Sequence, residues 1–197
     1  QDLKKRLDEL CLESEVAVRE GCKHLVLSDK KVSEKNAAVP MILVLGAINS
    51  RLTKLGIRGF VSINVQTSEV LDTHSFAVLL GVGSTTINPY LVFDSIYQRY
   101  EKKLFAKLSY KECIQRYIKS VENGLLKIMS KMGISVLSSY RGGCNFETVG
   151  LSRAIVADYF PGMISRISGI GIFGIEKKLK KIHKKAFQKN VLILPIG

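Results

Sequence analysis

The sequence predicts an α/β fold, with repeated βα units around a mostly parallel sheet, and three observations carry that prediction. Short apolar segments near residues 24, 60, 85 and 135 read as strands, and stretches of helical periodicity separate them. Residues 61–65 (VSINV) alternate apolar and polar side chains with period two. Glycine or a capping residue stands at most boundaries between the two patterns.

In chain order, residues 2–20 predict a helix whose irregular apolar side is Leu3, Leu7, Leu10, Val16 and Ala17, with Gly21 at the C-cap position. HLVLS at 24–28 reads as a short buried strand ending at Asp29, and residues 30–36 as a polar loop. Pro40 suits the first turn of a helix that runs to about Leu55 and stops at Gly56. Its first half, MILVLGAI, is apolar all round, which predicts a helix held between layers. The 61–65 strand is followed by Gln66-Thr67-Ser68-Glu69, rich in capping residues, and by a helix expected from Val70 to Leu80 before Gly81-Val82-Gly83. Residues 85–87 make a weak strand, and Asn88-Pro89 opens a helix through Tyr100.

Ser109-x-x-Glu112 has capping-box spacing and introduces a long helix over 110–132. Its stripe is Ile114, Tyr117, Ile118, Val121, Leu125, Ile128, Met129 and Met132. A strand at 135–138, a turn at 140–143 and short helices around 145–149 and 153–159 are expected next. Pro161-Gly162 breaks the chain, and a glycine-rich link leads to an amphipathic helix with Ile175, Leu179, Ile182 and Ala186 on one side. VLILPIG at 191–197 starts a further strand. Right-handed crossovers would bring the loops at the strand C-termini to one edge of the sheet. Asp29, Gln66, Asn88 and Tyr140-Arg141 would then share one face.

At 197 residues and 46% hydrophobic content, the chain is expected to form one domain, residues 1–197, with an ample core. Beginning at Gln1 without Met, it is expected to be cut from something longer. Its longest apolar run, residues 39–48, falls short of the roughly 18–20 residues of a spanning helix. The charged start, QDLKKRLDEL, lacks the pattern of a secretory signal. Cys11, Cys22, Cys113 and Cys144 have no CxxC spacing and no partnered His, so reduced thiols are expected rather than zinc or disulfides. Of the net charge of +13, much sits at Lys177, Lys178, Lys180, Lys181, Lys184, Lys185 and Lys189, with only Glu176 against them. None of the seven is Arg, the residue favoured for bidentate phosphate contacts, so a solvated helix face is the plain reading.

Motifs with chemical promise are few. Gly169-x-Gly171-x-x-Gly174 matches the dinucleotide fingerprint in spacing, but MISRIS before it is a poor central strand and no acid follows about 20 residues on. A glycine-rich link is the preferred reading. His24, His74 and His183 have neither metal nor triad spacing and read as structural or surface residues. Asp72 and His74, two apart, do not face each other on a helix. Cys113 reads as core. Cys144, after a glycine pair, is the accessible thiol, but a nucleophile needs a base and none is evident. The turn Tyr140-Arg141-Gly142-Gly143 offers backbone approach and a guanidinium for a carboxylate or phosphate. The preferred reading is a tight strand-to-helix turn with Arg141 as a surface charge.

Residues 125–151 (LLKIMSKMGISVLSSYRGGCNFETVGL), followed by Asp158-Tyr-Phe-Pro-Gly and Ser165-Arg-Ile-Ser-Gly-Ile-Gly, resemble the large chain of glutamate synthase. Collinear matches upstream are His24-Leu-Val-Leu-Ser-Asp, Val39-Pro-Met-Ile-Leu-Val-Leu-Gly-Ala, Gly56-Ile-Arg and Phe76 through Leu91. The resemblance covers almost the whole chain and points to the central domain, between the glutaminase domain and the FMN-binding barrel. It implies a fold like a degenerate (β/α) barrel or Rossmann-like layer, with 191–197 starting the connection to the FMN-binding domain. It implies glutamate biosynthesis from glutamine and 2-oxoglutarate by the whole enzyme, an oxidoreductase of cytoplasm or plastid, using FMN and an iron–sulfur cluster. For this segment it implies no catalytic, cofactor or metal residues of its own. The implied partners are the two flanking domains, not nucleic acid or membrane, and the implied role is to fix two active sites and enclose an ammonia path. The family tends to carry a His-rich run where this chain has Asn49-Ser50-Arg51, paired His near Thr73-His74, and Gly-Ala in place of Gly142-Gly143.

Two other readings stay open on the residues. One is a basic α/β module that contacts nucleic acid through helix 174–189. The other is a stand-alone βα enzyme or phosphate binder acting through Asp29, Asn88 and Arg141.

Overall fold

The computed structural model describes residues 2–143 and 145–188. Its first half is α1 (Asp2–Arg19), β1 (His24–Ser28), α2 (Met41–Lys54), a 3₁₀ turn (Arg58–Phe60), β2 (Ser62–Gln66), α3 (Thr73–Val82) and β3 (Thr86–Asn88). The three strands form one parallel sheet in the order β1-β2-β3, with Leu25 beside Ile63 and Val65 beside Ile87. The α/β prediction holds.

Alternation of β2 places Ile63 and Val65 in the core while Ser62, Asn64 and Gln66 stay half-buried. The edge strand β1 differs from expectation, because only Leu27 of HLVLS is buried and Val26 faces solvent. An edge strand has one strand neighbour, and the helices packed on this sheet cover β1 on one side only. Helix α2 is the centre of the molecule. Met41 and the run from Leu43 to Ile48 are buried, and α2 packs on α1, α3 and β1 and on a later helix, α7 (Arg153–Tyr159). A Cβ added at Gly46 would stand 2.5 Å from the Phe160 ring and 2.7 Å from the Tyr159 carbonyl, so this glycine sets how closely α7 approaches.

Helix α3 starts three residues later than Val70. Asp72 is its N-cap, accepting from the Ser75 N–H at 2.8 Å, while Glu69 is used elsewhere. Helix α4 (Tyr90–Glu101) and the long α5 (Tyr110–Lys131) follow, the latter with the reciprocal Ser109–Glu112 capping box that the spacing predicts. On α5, Cys113, Val121 and Met129 are buried, whereas Ile118 and Met132 remain exposed.

Three sequence expectations fail in the second half, which runs α6 (Leu137–Tyr140), β4 (Glu147–Leu151), α7, β5 (Ile164–Ile170) and α8 (Ile172–Ala186). Residues 135–138 are not a strand. The chain turns helically there and drives Tyr140, 2% exposed, into a cluster with Ala77, Leu80 and Met129. Residues 145–149 do not form a helix but lead into β4, whose Thr148 and Val149 favour extended backbone. The supposed glycine-rich link is β5, parallel to β4. Glycine weakens a strand unless a backbone approaches closely, and that is the case here: a Cβ at Gly169 would overlap the Gly150 carbonyl. On α8, Ile175 and Leu179 pack against the core, but Ile182 and Ala186 are exposed, since only the first half of the helix lies on α1 and β5. The strand expected at 191–197 lies outside the described residues. Among the described residues, no helix is long and apolar enough to cross a membrane.

Candidate functional site

The C-terminal edge of the β1–β3 sheet gathers Asp29, Gln66 and Asn88, as predicted. The Asp29 N–H donates to the Gln66 carbonyl at 3.3 Å and the Thr67 N–H to the Asn88 carbonyl at 3.1 Å. Asp29 is 8% exposed. Its Oδ2 accepts from Thr67 Oγ1 (2.7 Å), Ser68 N (2.9 Å) and Ser68 Oγ (3.1 Å), while Oδ1 is buried with no partner among the described residues. Next to it Glu69 Oε2 accepts from the N–H of Met41, the first residue of α2, at 2.9 Å. Burial, offset by that N–H and reinforced by the charge of Asp29, pushes the Glu69 carboxyl above its usual range. Lys30 lies over the Tyr90 ring at 4.9 Å.

Tyr140-Arg141 does not join this edge, contrary to expectation. With no strand before it, the turn is carried to the opposite end of the sheet, where Arg141 Nη1 donates to Thr85 Oγ1, just before β3, at 3.3 Å. Arg58 stands at the same end. Its Nε donates to Asn49 Oδ1 (2.7 Å), Nη1 to the Val61 carbonyl (2.6 Å) and Nη2 to the Gly83 carbonyl (2.7 Å). Burial, and then the charge of Arg141, lowers the Arg58 pKa. Asn49 and Gly142 also line a cavity of about 390 Å³ with Lys54, Tyr159 and Phe160.

The remaining candidates are dispersed. His24 Nδ1 lies 2.6 Å from Ser62 Oγ, His74 meets Phe146 edge-on, and His183 Nε2 lies 3.0 Å from the Glu34 carbonyl. These are structural contacts, as read from the sequence. Cys113 is buried in the core as expected; Cys11 and Cys22 are half-buried free thiols, the latter donating to the His24 carbonyl at 3.2 Å. Cys144 lies outside the described residues. Cys11, Cys22 and Cys113 do not converge, so they do not fit the donor set of an iron–sulfur cluster. In the glycine motif, the position a Cβ would take at Gly169 is filled by Gly150 and that at Gly174 by Ile170, so both glycines serve close packing within the fold.

On α8, Lys177, Lys178, Lys181, Lys184 and Lys185 are exposed, and Lys189 lies outside the described residues. Lys180 binds Glu176 at 2.6 Å and Asp2 at 2.9 Å. Glu176, 7% exposed, also accepts from the Leu3 N–H at 3.2 Å, so the lone acid of the lysine segment ties α8 to the start of α1. Its pKa is lowered from 4.5 to about 2, chiefly by Lys180 and further by the Leu3 N–H. Sequence reasoning missed Glu69, Arg58 and Glu176. Only Glu176 carried a signal, as a single carboxylate four residues before a lysine on an otherwise basic helix.

Taken together, Asp29, Glu69, Arg58 and Arg141 at the two sheet ends each bond to the protein's own backbone or hydroxyls. The class so defined is a parallel α/β domain whose polar groups brace its frame. The profile of the glutamate synthase central domain matches residues 1–152, so the chain belongs to that family. It is 51% identical over 185 residues to the glutamate synthase [NADPH] large chain of Azospirillum brasilense, covering 94% of this chain and 12% of that protein. Against the same-named chain of Bacillus subtilis it is 38% identical over 190 residues, 96% of this chain and 12% of the relative. The chloroplastic ferredoxin-dependent glutamate synthase of Spinacia oleracea is 36% identical over 199 residues, 95% of this chain and 12% of the relative. The chain therefore spans about 12% of the length of the curated relatives it matches.

Proposed function

We propose that this chain is a single non-catalytic connecting domain of a glutamate synthase, holding a glutaminase site and a synthase site in fixed register and enclosing the ammonia path between them. The observation that carries the proposal is the central-domain match over residues 1–152, in a chain that spans only 12% of its relatives. The structure supports a rigid spacer: α2 is buried along most of its length and packs on α1, α3 and α7. Both ends of the sheet are braced by side-chain-to-backbone bonds. In this reading FMN and the iron–sulfur cluster belong to domains outside the chain, residues 191–197 lead toward the FMN-binding domain, and the parent enzyme works in cytoplasm or plastid.

The test uses the full-length protein that contains this chain. Ammonia escaping to solvent is counted per glutamine consumed, in the presence of 2-oxoglutarate and reductant. The intact protein should release little. Replacing residues 2–188 by a flexible linker should keep glutamine hydrolysis while ammonia escapes and glutamine-dependent glutamate synthesis falls. Equal coupling in both proteins would overturn the proposal.

A further inference from the structure

Two guanidiniums of like charge converge on one short segment, Gly83-Ser84-Thr85, between α3 and β3. Arg58 Nη2 donates to the Gly83 carbonyl at 2.7 Å and Arg141 Nη1 to Thr85 Oγ1 at 3.3 Å. The charges are near enough for Arg141 to depress the pKa of Arg58. Among the described residues, neither guanidinium pairs with a carboxylate. Helix ends offset part of this charge. α2 and α3 both finish at this end of the sheet, and each C-terminus acts as roughly half a negative charge. Arg58, Arg141 and Lys54, the last residue of α2, together outweigh them.

The surplus is one of donors as well as of charge. Arg58 is held at all three of its nitrogens. Arg141 is not, because its Nε is buried with no acceptor among the described residues. Ser84, between the two anchored residues, is fully buried, and its hydroxyl also has no partner there. Buried donors without acceptors cost stability, the more so beside unpaired charge. The adjoining cavity of about 390 Å³ takes Asn49 from beside Arg58 and Gly142 from beside Arg141, and adds Lys54. Of the residues that line it, none is Asp or Glu. Basic side chains and spare donors thus meet at a space large enough for a small ligand.

We propose that this basic end binds a small oxyanion, a phosphate or carboxylate group, against Arg141 and beside Arg58, where Asn49, Lys54 and Gly142 line the cavity. A planar guanidinium fork meets either group through two parallel bonds, which a spherical chloride cannot accept. The roles of the two arginines differ. Arg58 is committed to the frame and contributes field, whereas Arg141, with one bond to the protein, supplies the contact. The bound anion offsets the repulsion between the two charges. This inference uses only residues of this chain and stands independently of the proposed connecting role.

Calorimetric titration of the 197-residue chain with sodium phosphate and with sodium acetate tests it, sodium chloride holding the ionic strength constant. Saturable binding is expected, and whichever anion binds more tightly names the group. Arg141→Met should weaken that binding about tenfold, the worth of one charge-assisted bond. Lys181→Met, which removes the same charge from α8, should leave it unchanged. In the unaltered chain, the anion should shift the amide resonances of Gly83, Ser84, Thr85 and Gly142 and leave those of α8 in place. Three results would each overturn the proposal: no saturable binding of either anion, equal affinity in the two variants, or resonance shifts confined to α8.

Discussion

The two ends of the β1–β3 sheet use side chains of opposite charge to meet backbone. Where the strands finish, Asp29 and Glu69 accept the N–H groups of Ser68 and Met41. Where the strands begin, Arg58 donates to the carbonyls of Val61 and Gly83, the second just past the end of α3. Parallel βα units align their helices, so positive N-termini gather at one sheet edge and negative C-termini at the other. Acid at the first and base at the second follow from topology. Charges that look like a binding site are first the complement of the helix ends. The ends still differ, because the acidic one is closed over a nearly buried Asp29, and the basic one borders a cavity of about 390 Å³.

The largest expected effect lies at the basic end. Arg58→Ala removes three bonds and leaves two backbone carbonyls without a donor. A loss of about 3 kcal/mol in urea denaturation is expected from bonds to a charged group and the unpaired acceptors left behind. Arg58→Lys should recover little of it, since one ammonium cannot span the three directions. Asp29→Ala should come second, at about 2 kcal/mol, because Thr67 and Ser68 lose a shared acceptor. A reversed ranking would show that the acidic end carries the frame.

How much of this was legible beforehand depended on whether the signal was local. The capping box at Ser109–Glu112 and the limits of α2 were readable, since they depend on a few neighbouring residues. Asp29, Gln66 and Asn88 were placed together correctly because parallel topology alone brings strand C-termini to one edge. Arg141 was misplaced for the same reason, through an assumed strand at 135–138 that tertiary burial of Tyr140 converts into a helical turn. β5 was hidden because its glycines argue against a strand until Gly150 is seen against Gly169. The pairing of Glu176 with the Leu3 N–H spans 173 residues, and no local pattern reports such a contact.

Smaller effects should appear as two limbs of the pH profile. The Glu69 pKa is raised by burial, so the stability linked to it is full below the ordinary carboxylate range and is lost as pH rises through the raised value. Glu176 is the reverse. With its pKa lowered from 4.5 to about 2, its contribution is full above 4.5 and is lost as pH falls toward 2. Denaturation midpoints followed against pH should lose the first limb in Glu69→Gln, whose amide oxygen still accepts from Met41, and keep the second. Glu176→Gln should do the opposite. A single variant that abolished both limbs would mean that the two carboxylates do not titrate independently.

Arg141 should matter least. Among the described residues it makes one side-chain bond, to Thr85 at 3.3 Å, and its Nε is buried without a partner there, while its charge repels that of Arg58. Arg141→Met keeps the apolar stem and removes the repulsion, so the expected change is under about 1 kcal/mol, the scale of one neutral-acceptor bond. A double-mutant cycle with Arg58→Ala isolates the coupling. If the two guanidiniums repel, replacing Arg141 should cost less with Arg58 present than in the Arg58→Ala background. The opposite sign would make Arg141 a second strut, cooperating with Arg58, and the basic end would then be braced at two points instead of one.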